Sequence, residues 1–258
     1  KNKKQLIYDN ALLKIYNVPI LYFPKFFHPD PTVKRQSGFL KPSVNNSNIL
    51  GSSLNLPYYH VISHDKDFTF RPTLFDSDVK MFQNEYRLKN KNSSAILDFS
   101  FVDGYQSSLS NKTNSISHFF AEFDANLAWK NFTQSDFFIS LKTVSNDTYL
   151  KIFDSNIFKN STTPKDYDVL NSEAQLILNN NKFNLVTGFQ SFESLNLVSS
   201  DRYQFILPYY DFDKQLFSDF NNGTINFKSS GSNDLNNTNN LRTKIINDLN
   251  FKSSNILS

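Results

Sequence analysis

Residues 119–130 read FFAEFDANLAWK. Odd positions carry Phe119, Ala121, Phe123, Ala125, Leu127 and Trp129; even positions carry Phe120, Glu122, Asp124, Asn126, Ala128 and Lys130. Successive side chains of a strand point to opposite faces, so the run predicts a β-strand with one apolar and one charged face. The same period of two returns in DFTFRPTLF (67–75), SAILDFSF (94–101), DFFISLKTV (136–144), RYQFILPYY (202–210) and LRTKIINDLNF (241–251). It is less regular in VKMFQNEYRLK (79–89), SEAQLILN (172–179), KFNLVTGFQSF (182–192) and GTINFKS (223–229). Between the runs lie the polar clusters KNKNSS, YQSSLSNKTNS, KNSTTPKDY and SSGSNDLNNTNN, which read as turns and loops. A short helix is expected only within DTYLKIFDSNIF (147–158).

Composition agrees with an all-β chain. Among 258 residues there are 27 Phe and 12 Tyr, a share that suits strands and is too high for disorder. The charge balance of 27 basic to 24 acidic residues, with no basic stripe, gives no reason to expect nucleic acid. Absence of cysteine removes disulfides, thiol catalysis and zinc–thiolate sites from this stretch. No apolar run is long enough for a membrane-spanning helix; the most apolar stretch, residues 11–27, is broken by Lys14, Pro19, Pro24 and Lys25. The histidines His28, His60, His64 and His118 are scattered, and no nucleophile motif or phosphate loop is present, so no catalytic residue, metal or cofactor is expected. Glu122 and Asp124 share a strand face, where lining a polar surface is the simpler role than acid–base chemistry.

Two architectures fit. A β-sandwich buries the apolar faces between two sheets. A membrane β-barrel turns them toward lipid and the polar faces toward an aqueous lumen, with strands of about ten residues. Aromatics near strand ends favour the barrel: Tyr58, Tyr59, Tyr86, Trp129, Tyr149, Tyr203, Tyr209 and Tyr210 are candidates for interfacial girdles.

Residues 34–59, KRQSGFLKPSVNNSNILGSSLNLPYY, read as two adjacent strands that each carry a proline, Pro42 and Pro57. Proline lacks the N–H that a ladder needs. From residues alone, Pro42 tolerates an edge and Pro57 ends a strand; alternatively both loosen a seam, helped by Gly38 and Gly51. Further upstream, KIYNVPILYF reads as two short strands around Asn17-Val18-Pro19, and Pro24, Pro29 and Pro31 mark a stiff linker, with a boundary near 24–36.

The order VPILYFPKF (18–26), KRQSGFLKP (34–42), LPYYHVISHDKDFTFRP (56–72), NEYRL (84–88) resembles the LPS-assembly protein LptD family of the Gram-negative outer membrane. Further on, DTYLKIFD is similar to an element that the family places between two strands. The strong likeness covers about 75 residues; beyond it, alternation and order carry it. The resemblance implies the last strands of a periplasmic β-jellyroll at 1–24, a linker at 25–36, and the N-terminal portion of an antiparallel transmembrane β-barrel at 37–258. An incomplete barrel has two open edges, which hydrocarbon does not tolerate. The chain is therefore expected to be part of a longer protein, with residues preceding Lys1.

By the same resemblance, lipopolysaccharide leaves sideways through a lateral gate between the first and last barrel strands, loosened by Pro42 and Pro57 with Gly38 and Phe39. Ile20, Tyr22 and Phe23 lie on the lipid path, and Lys34 and Arg35 are candidates for the lipid phosphates. Side chains such as Arg71, Glu122, Asp124 and Lys142 offer the sugars a wet route. Implied partners are lipopolysaccharide, a periplasmic LptA-like bridge, an LptE-like lipoprotein plug and the outer membrane itself. The pattern departs from the family at His60, where a tryptophan is usual, at Gln36, where a second basic residue is usual, and in its lack of cysteine. A generic porin or receptor barrel for small solutes is the alternative, sharing the alternation without needing the RQSGFLKP element.

Overall fold

Alternation in sequence becomes strand pairing in the computed structural model, which describes residues 5–15, 17–29, 35–105, 116–196, 202–219, 223–236 and 239–253. The chain divides into two units, residues 1–87 with 101–115, and residues 88–100 with 116–258.

In the first unit, β1 (Gln5–Ile15) and β2 (Val18–Pro29) form an antiparallel hairpin turning at Asn17, whose φ is 65°. Strand β2 runs through Pro24 to Pro29, past the position near 24 where the prolines suggested a linker. The register explains how. Asp9 pairs with Lys25 and Ala11 with Phe23, so the missing donor of Pro24 faces Asn10, which leaves the ladder at φ 59°. The Asn10 side chain accepts a hydrogen bond from the Tyr22 hydroxyl at 2.5 Å. Then follow β3 (Gly38–Phe39), β4 (Ser43–Ser47), β5 (Gly51–Asn55), β6 (Tyr58–Val61), β7 (Lys66–Phe75) and β8 (Lys80–Lys89). Strand β7 pairs with both β5 and β6, and β8 lies beside β7.

The second unit holds residues 93–100 of β9 (Ser93–Asp103), and β10 (Ile116–Asn126), β11 (Gln134–Val144), β12 (Val169–Asn180), β13 (Phe183–Ser194), β14 (Tyr203–Asp219), β15 (Gly223–Asn236) and β16 (Asn240–Lys252), side by side in chain order. From β10 onward each pairs antiparallel with the next. The strand β15 was not expected along its whole length. It runs through SSGSNDLN, which reads as a loop, because the ladders of β14 and β16 satisfy its backbone on both sides.

Register sorts the side chains of this unit onto two faces. One row runs Phe123, Ile139, Ala174, Phe189 across four strands. The row one residue along runs Glu122, Ser140, Glu173, Gln190, and continues through Ile206 and Asp234 to Arg242. The apolar face is the uncovered one: Phe119, Phe123, Leu141, Phe189, Ile245 and Leu249 are exposed. A sandwich would bury such a face against a second sheet. Here the described residues of the second unit supply no second sheet to cover it.

The polar face is covered in one place. Residues 145–168, between β11 and β12, carry a single helical turn, α1 (Tyr149–Ile152), inside the segment where a short helix was expected. Tyr149, Leu150, Ile152, Phe153 and Ile157 are buried, as are Ile116 and Phe120 of β10. Phe120 thus departs from its charged neighbours on that face: it stacks on His118 with ring centroids 4.3 Å apart.

The aromatic girdle also differs from expectation. Tyr149 is buried in α1, and the Tyr209 hydroxyl accepts from Gln175 at 2.8 Å within the polar face. Strand β10 stops at Asn126, short of Trp129, because the chain turns at Ala128 with φ 52°. Trp129 instead begins a chain of rings, Trp129–Phe132–Phe183–Phe212–Phe227, with centroid separations of 6.2, 5.8, 5.3 and 6.1 Å. Phe183, Phe212 and Phe227 belong to the apolar face near the hairpin turns. A phenylalanine on each of three successive strands, more than tyrosine at strand ends, carries it.

Candidate functional site

Two places in the chain combine unusual residues with unusual geometry. The first is the start of the sheet in the first unit. Strands β4 and β5 pair from Ser43 with Asn55 to Ser47 with Gly51, and β3 and β6 pair Gly38 with Tyr59 and Phe39 with Tyr58. What the sequence suggested as two continuous strands is two broken ones. Pro42 and Pro57 sit in the gaps, Pro42 between β3 and β4 and Pro57 between β5 and β6, because neither has an N–H for the ladder. Only Leu40 N–H, donating to the Pro57 carbonyl at 2.8 Å, bridges the gap.

A third proline lies at the same level. Asn55 pairs with Thr73 and Tyr58 with Phe70, which sets Pro72 of β7 opposite the Leu56–Pro57 break; Leu56 N–H donates to the Pro72 carbonyl at 3.1 Å. Three adjacent strands therefore lose a donor along one line. The fifteen-residue spacing of Pro42, Pro57 and Pro72 carries that information in sequence, but it becomes meaningful only once hairpin lengths are known. On its other side β4 has no partner among the described residues. Strands β3 to β6 are two to five residues long, against 11 to 17 for β9 to β16.

Around this broken pair the ends are pinned. Arg35 donates to the Tyr59 hydroxyl at 3.1 Å, to the His64 carbonyl at 2.6 Å, and to Asp67. Arg87 donates to the other Asp67 oxygen at 2.8 Å. The Tyr59 and Asp67 contacts hold the Arg35 guanidinium above its ordinary range. Ser37 Oγ accepts from Val61 N–H at 2.9 Å. Arg35, a candidate for the lipid phosphates, has its guanidinium bonded within the chain at the start of β3; Lys34 lies outside the described residues. At the far end Gly51 turns the β4–β5 hairpin with φ 76°, and a Cβ there would run into the Asp76 carboxylate, which accepts from Ser52 N–H at 2.9 Å.

Phe39 is exposed and packs edge-on against Tyr58 with centroids 5.2 Å apart. In the separate β1–β2 hairpin, Tyr22 is exposed and pairs with Leu12, while Phe23 pairs with Ala11. Ile20 lies in β2. With Leu6, Ile7, Tyr8, Leu12 and Val18 also exposed, this hairpin presents an uncovered apolar surface.

The second place is buried. Asp98 and Ser100 are two apart on β9 and so share a face; His118 comes from β10, Tyr149 from α1 and Asn160 from the segment after it. His118 Nε2 is 3.0 Å from Asp98 Oδ1, and Nδ1 is 2.6 Å from the Tyr149 hydroxyl and 2.9 Å from Ser100 Oγ. Ser100 and Tyr149 hydroxyls are themselves 2.5 Å apart, and Asn160 Nδ2 donates to Asp98 Oδ2 at 3.2 Å. Burial pushes the Tyr149 phenol up, so it enters the network as a neutral O–H. Aspartate, histidine and serine in contact resemble a hydrolase relay in composition. Asp98, Ser100, His118 and Tyr149 are at most 2% exposed, so no substrate atom reaches Ser100 Oγ, and the network clamps. Outside it, Ser161 Oγ donates to Glu122 at 2.7 Å, and Arg202 holds Asp147 and Glu193, each at 2.6 Å.

Among the described residues no cluster of side chains is placed to hold a metal ion. No helix is long and apolar enough to cross a membrane, which bears on helices and not on strands.

No protein-family profile matches the chain. Curated relatives do. The chain is 39% identical over 79 residues to LPS-assembly protein LptD of Polaromonas sp., covering 31% of this chain and 10% of that protein. It is 26% identical over 175 residues to LPS-assembly protein LptD of Idiomarina loihiensis, covering 65% and 22%, and 28% identical over 149 residues to that of Shewanella frigidimarina, covering 57% and 18%. The matched stretches thus span about a tenth to a fifth of those relatives.

Proposed function

We propose that this chain, an LptD-like segment, serves lipopolysaccharide assembly at the outer membrane, with β3 to β16 as strands of a membrane barrel and β3–β4 as the movable side of a lateral exit. The observation that carries the exit is the line of Pro42, Pro57 and Pro72 beside the unpartnered edge of β4. A passage that opens within a hydrogen-bonded wall needs its weakest ladder where it opens, and each missing ladder bond removes about 0.5–1.5 kcal/mol. Acyl chains travel along apolar surface such as that of β1–β2; sugars travel along the polar face. No step makes or breaks a covalent bond. An LptA-like bridge on the periplasmic side and an LptE-like plug in the lumen complete the assembly in this reading.

Photo-crosslinking in living cells tests the exit. With a photoreactive residue in place of Phe39 or Leu54 in the full-length protein, lipopolysaccharide adducts are expected at both. Correct insertion with no adduct at either position would leave a generic barrel as the better reading, and recovery in the soluble fraction would remove the barrel.

The wall has an internal reporter. Trp129 is the only tryptophan of this chain and is exposed at one end of the aromatic ring chain. A ring at the level of the headgroups is quenched by bromines placed high on the lipid chains more than by bromines near their ends. In vesicles of brominated lipids, with tryptophans outside this stretch replaced, the shallow label is expected to quench Trp129 at least twofold more. Equal or absent quenching would place it in water.

A further inference from the structure

Opposite the apolar face, the second unit has a cavity of about 460 Å³, within the range of about 300–1,000 Å³ usual for small-ligand clefts. It is lined by the β8–β9 turn, by the C-terminal end of β10, and by β11 and β12. Two cross-strand rows line it, Asp124, Phe138, Gln175 and Asn126, Asp136, Ile177; the Asp136 carboxylate already accepts from Asn126 at 2.7 Å and from Gln134 at 2.8 Å. Lys89, the last residue of β8, and Lys91 of the turn also line it, and among the described residues neither lysine nor Asp124 has an ion-pair partner.

We propose that this cavity is a subsite for a phosphorylated sugar. The residue types match the parts of such a ligand. A carboxylate and an amide accept from and donate to ring hydroxyls. An aromatic ring between them offers its face to the C–H side of a pyranose. Two ammonium groups at the rim meet a phosphate dianion as mobile point charges. Phe138 is an aromatic between the polar row Glu122, Ser140, Glu173 and the Asn126–Asp136 pair. A neutral oligosaccharide would leave both lysines without a role, and a bare phosphate would leave Asp124 and Phe138 without one. The proposal deepens the reading above, since it names the part of a lipopolysaccharide head that the polar face holds, and it rests on that reading.

The test uses purified full-length protein in detergent with glucosamine 6-phosphate as the probe, read by saturation-transfer NMR and titration. Saturation is expected to reach the ring protons of the probe. The double substitution Lys89→Ala/Lys91→Ala, at two exposed positions, is expected to weaken binding at least tenfold, and Phe138→Ala to abolish transfer to the ring protons. Glucosamine and inorganic phosphate, each alone, are expected to bind at least tenfold more weakly than the probe. Unchanged binding by the double variant, or inorganic phosphate binding as tightly as the probe, would overturn the subsite. The crosslinking at Phe39 and Leu54 is independent: adducts there with no probe binding here would remove this inference alone and leave the exit standing.

Discussion

A disulfide joining cysteines placed at Phe39 and Tyr58 is expected to stop lipopolysaccharide reaching the cell surface, and a reductant to restore it. The two residues are direct cross-strand partners. Partners in an antiparallel pair have Cα atoms about 4.5–5.5 Å apart, inside the range of about 4.4–6.8 Å that a disulfide spans. No native cysteine of this chain competes for the bond. The size of the effect follows from what the bond replaces. The backbone ladder of the β3–β6 seam consists of two residue pairs and the Leu40–Pro57 bond, with the Ser37–Val61 and Arg35 contacts at its end. A few ladder bonds at roughly 0.5–1.5 kcal/mol each contribute about 1.5–4.5 kcal/mol, so with the end contacts added the seam opens in at most roughly one molecule in ten. A covalent bond removes that open population. Surface lipopolysaccharide is expected to fall at least tenfold under oxidising conditions. A second pair at Asn226 and Asn250, cross-strand partners in β15 and β16, is expected to change export less than twofold. Full oxidation of the Phe39–Tyr58 pair with normal export would show that the first two strands move together or not at all.

The same seam shows what sequence can and cannot disclose. Alternation in 119–126 and in 136–144 named the two faces correctly, because a period of two is a property of the backbone and needs no partner. Pro42 and Pro57 were legible as breaks, but their alignment with Pro72 depends on where each hairpin turns. His118 looked isolated for the same reason. Asp98 and Ser100 lie 20 and 18 residues before it and Tyr149 lies 31 after it, and only the placement of β9 beside β10 and the folding of 145–168 onto them bring the four together. Arg35 shows the same limit: its bonds to Tyr59 and Asp67, 24 and 32 residues later, were not legible from the basic residue itself. Polar residues in an all-β chain are read poorly from sequence because their partners are set by register, whereas apolar ones are read well because burial or exposure is set by face.

The buried network makes the second large prediction: His118→Ala is expected to release the segment 145–168 without unfolding the strands. Removing the imidazole takes one partner each from the buried Asp98 carboxylate and from the Tyr149 and Ser100 hydroxyls. Leaving a buried polar group short of a partner costs about 1–3 kcal/mol. Much of that cost falls on the segment, which the network ties to β9 and β10 through Tyr149 and Asn160. Lys151, Lys159 and Lys165 lie within it, so trypsin reads its opening directly. Where opening and reclosing are fast, cleavage follows the open population, and a loss of about 1–3 kcal/mol raises the rate on the order of 5- to 100-fold. The strands keep their own ladders, so the folded band of the full-length protein on unheated gels is expected to persist. A companion variant separates clamping from simple loss of volume. Asp98→Leu/His118→Leu removes both members of the pair and keeps the space filled; replacing a buried pair by apolar groups is often neutral, whereas removing one partner is not. The double variant is therefore expected to be cut more slowly than His118→Ala although it carries the more drastic change. Equal cleavage of His118→Ala and the native protein would mean that the apolar side chains of Leu150, Ile152 and Phe153 hold the segment by themselves, and loss of the folded band would mean that the clamp supports the strands and not the segment.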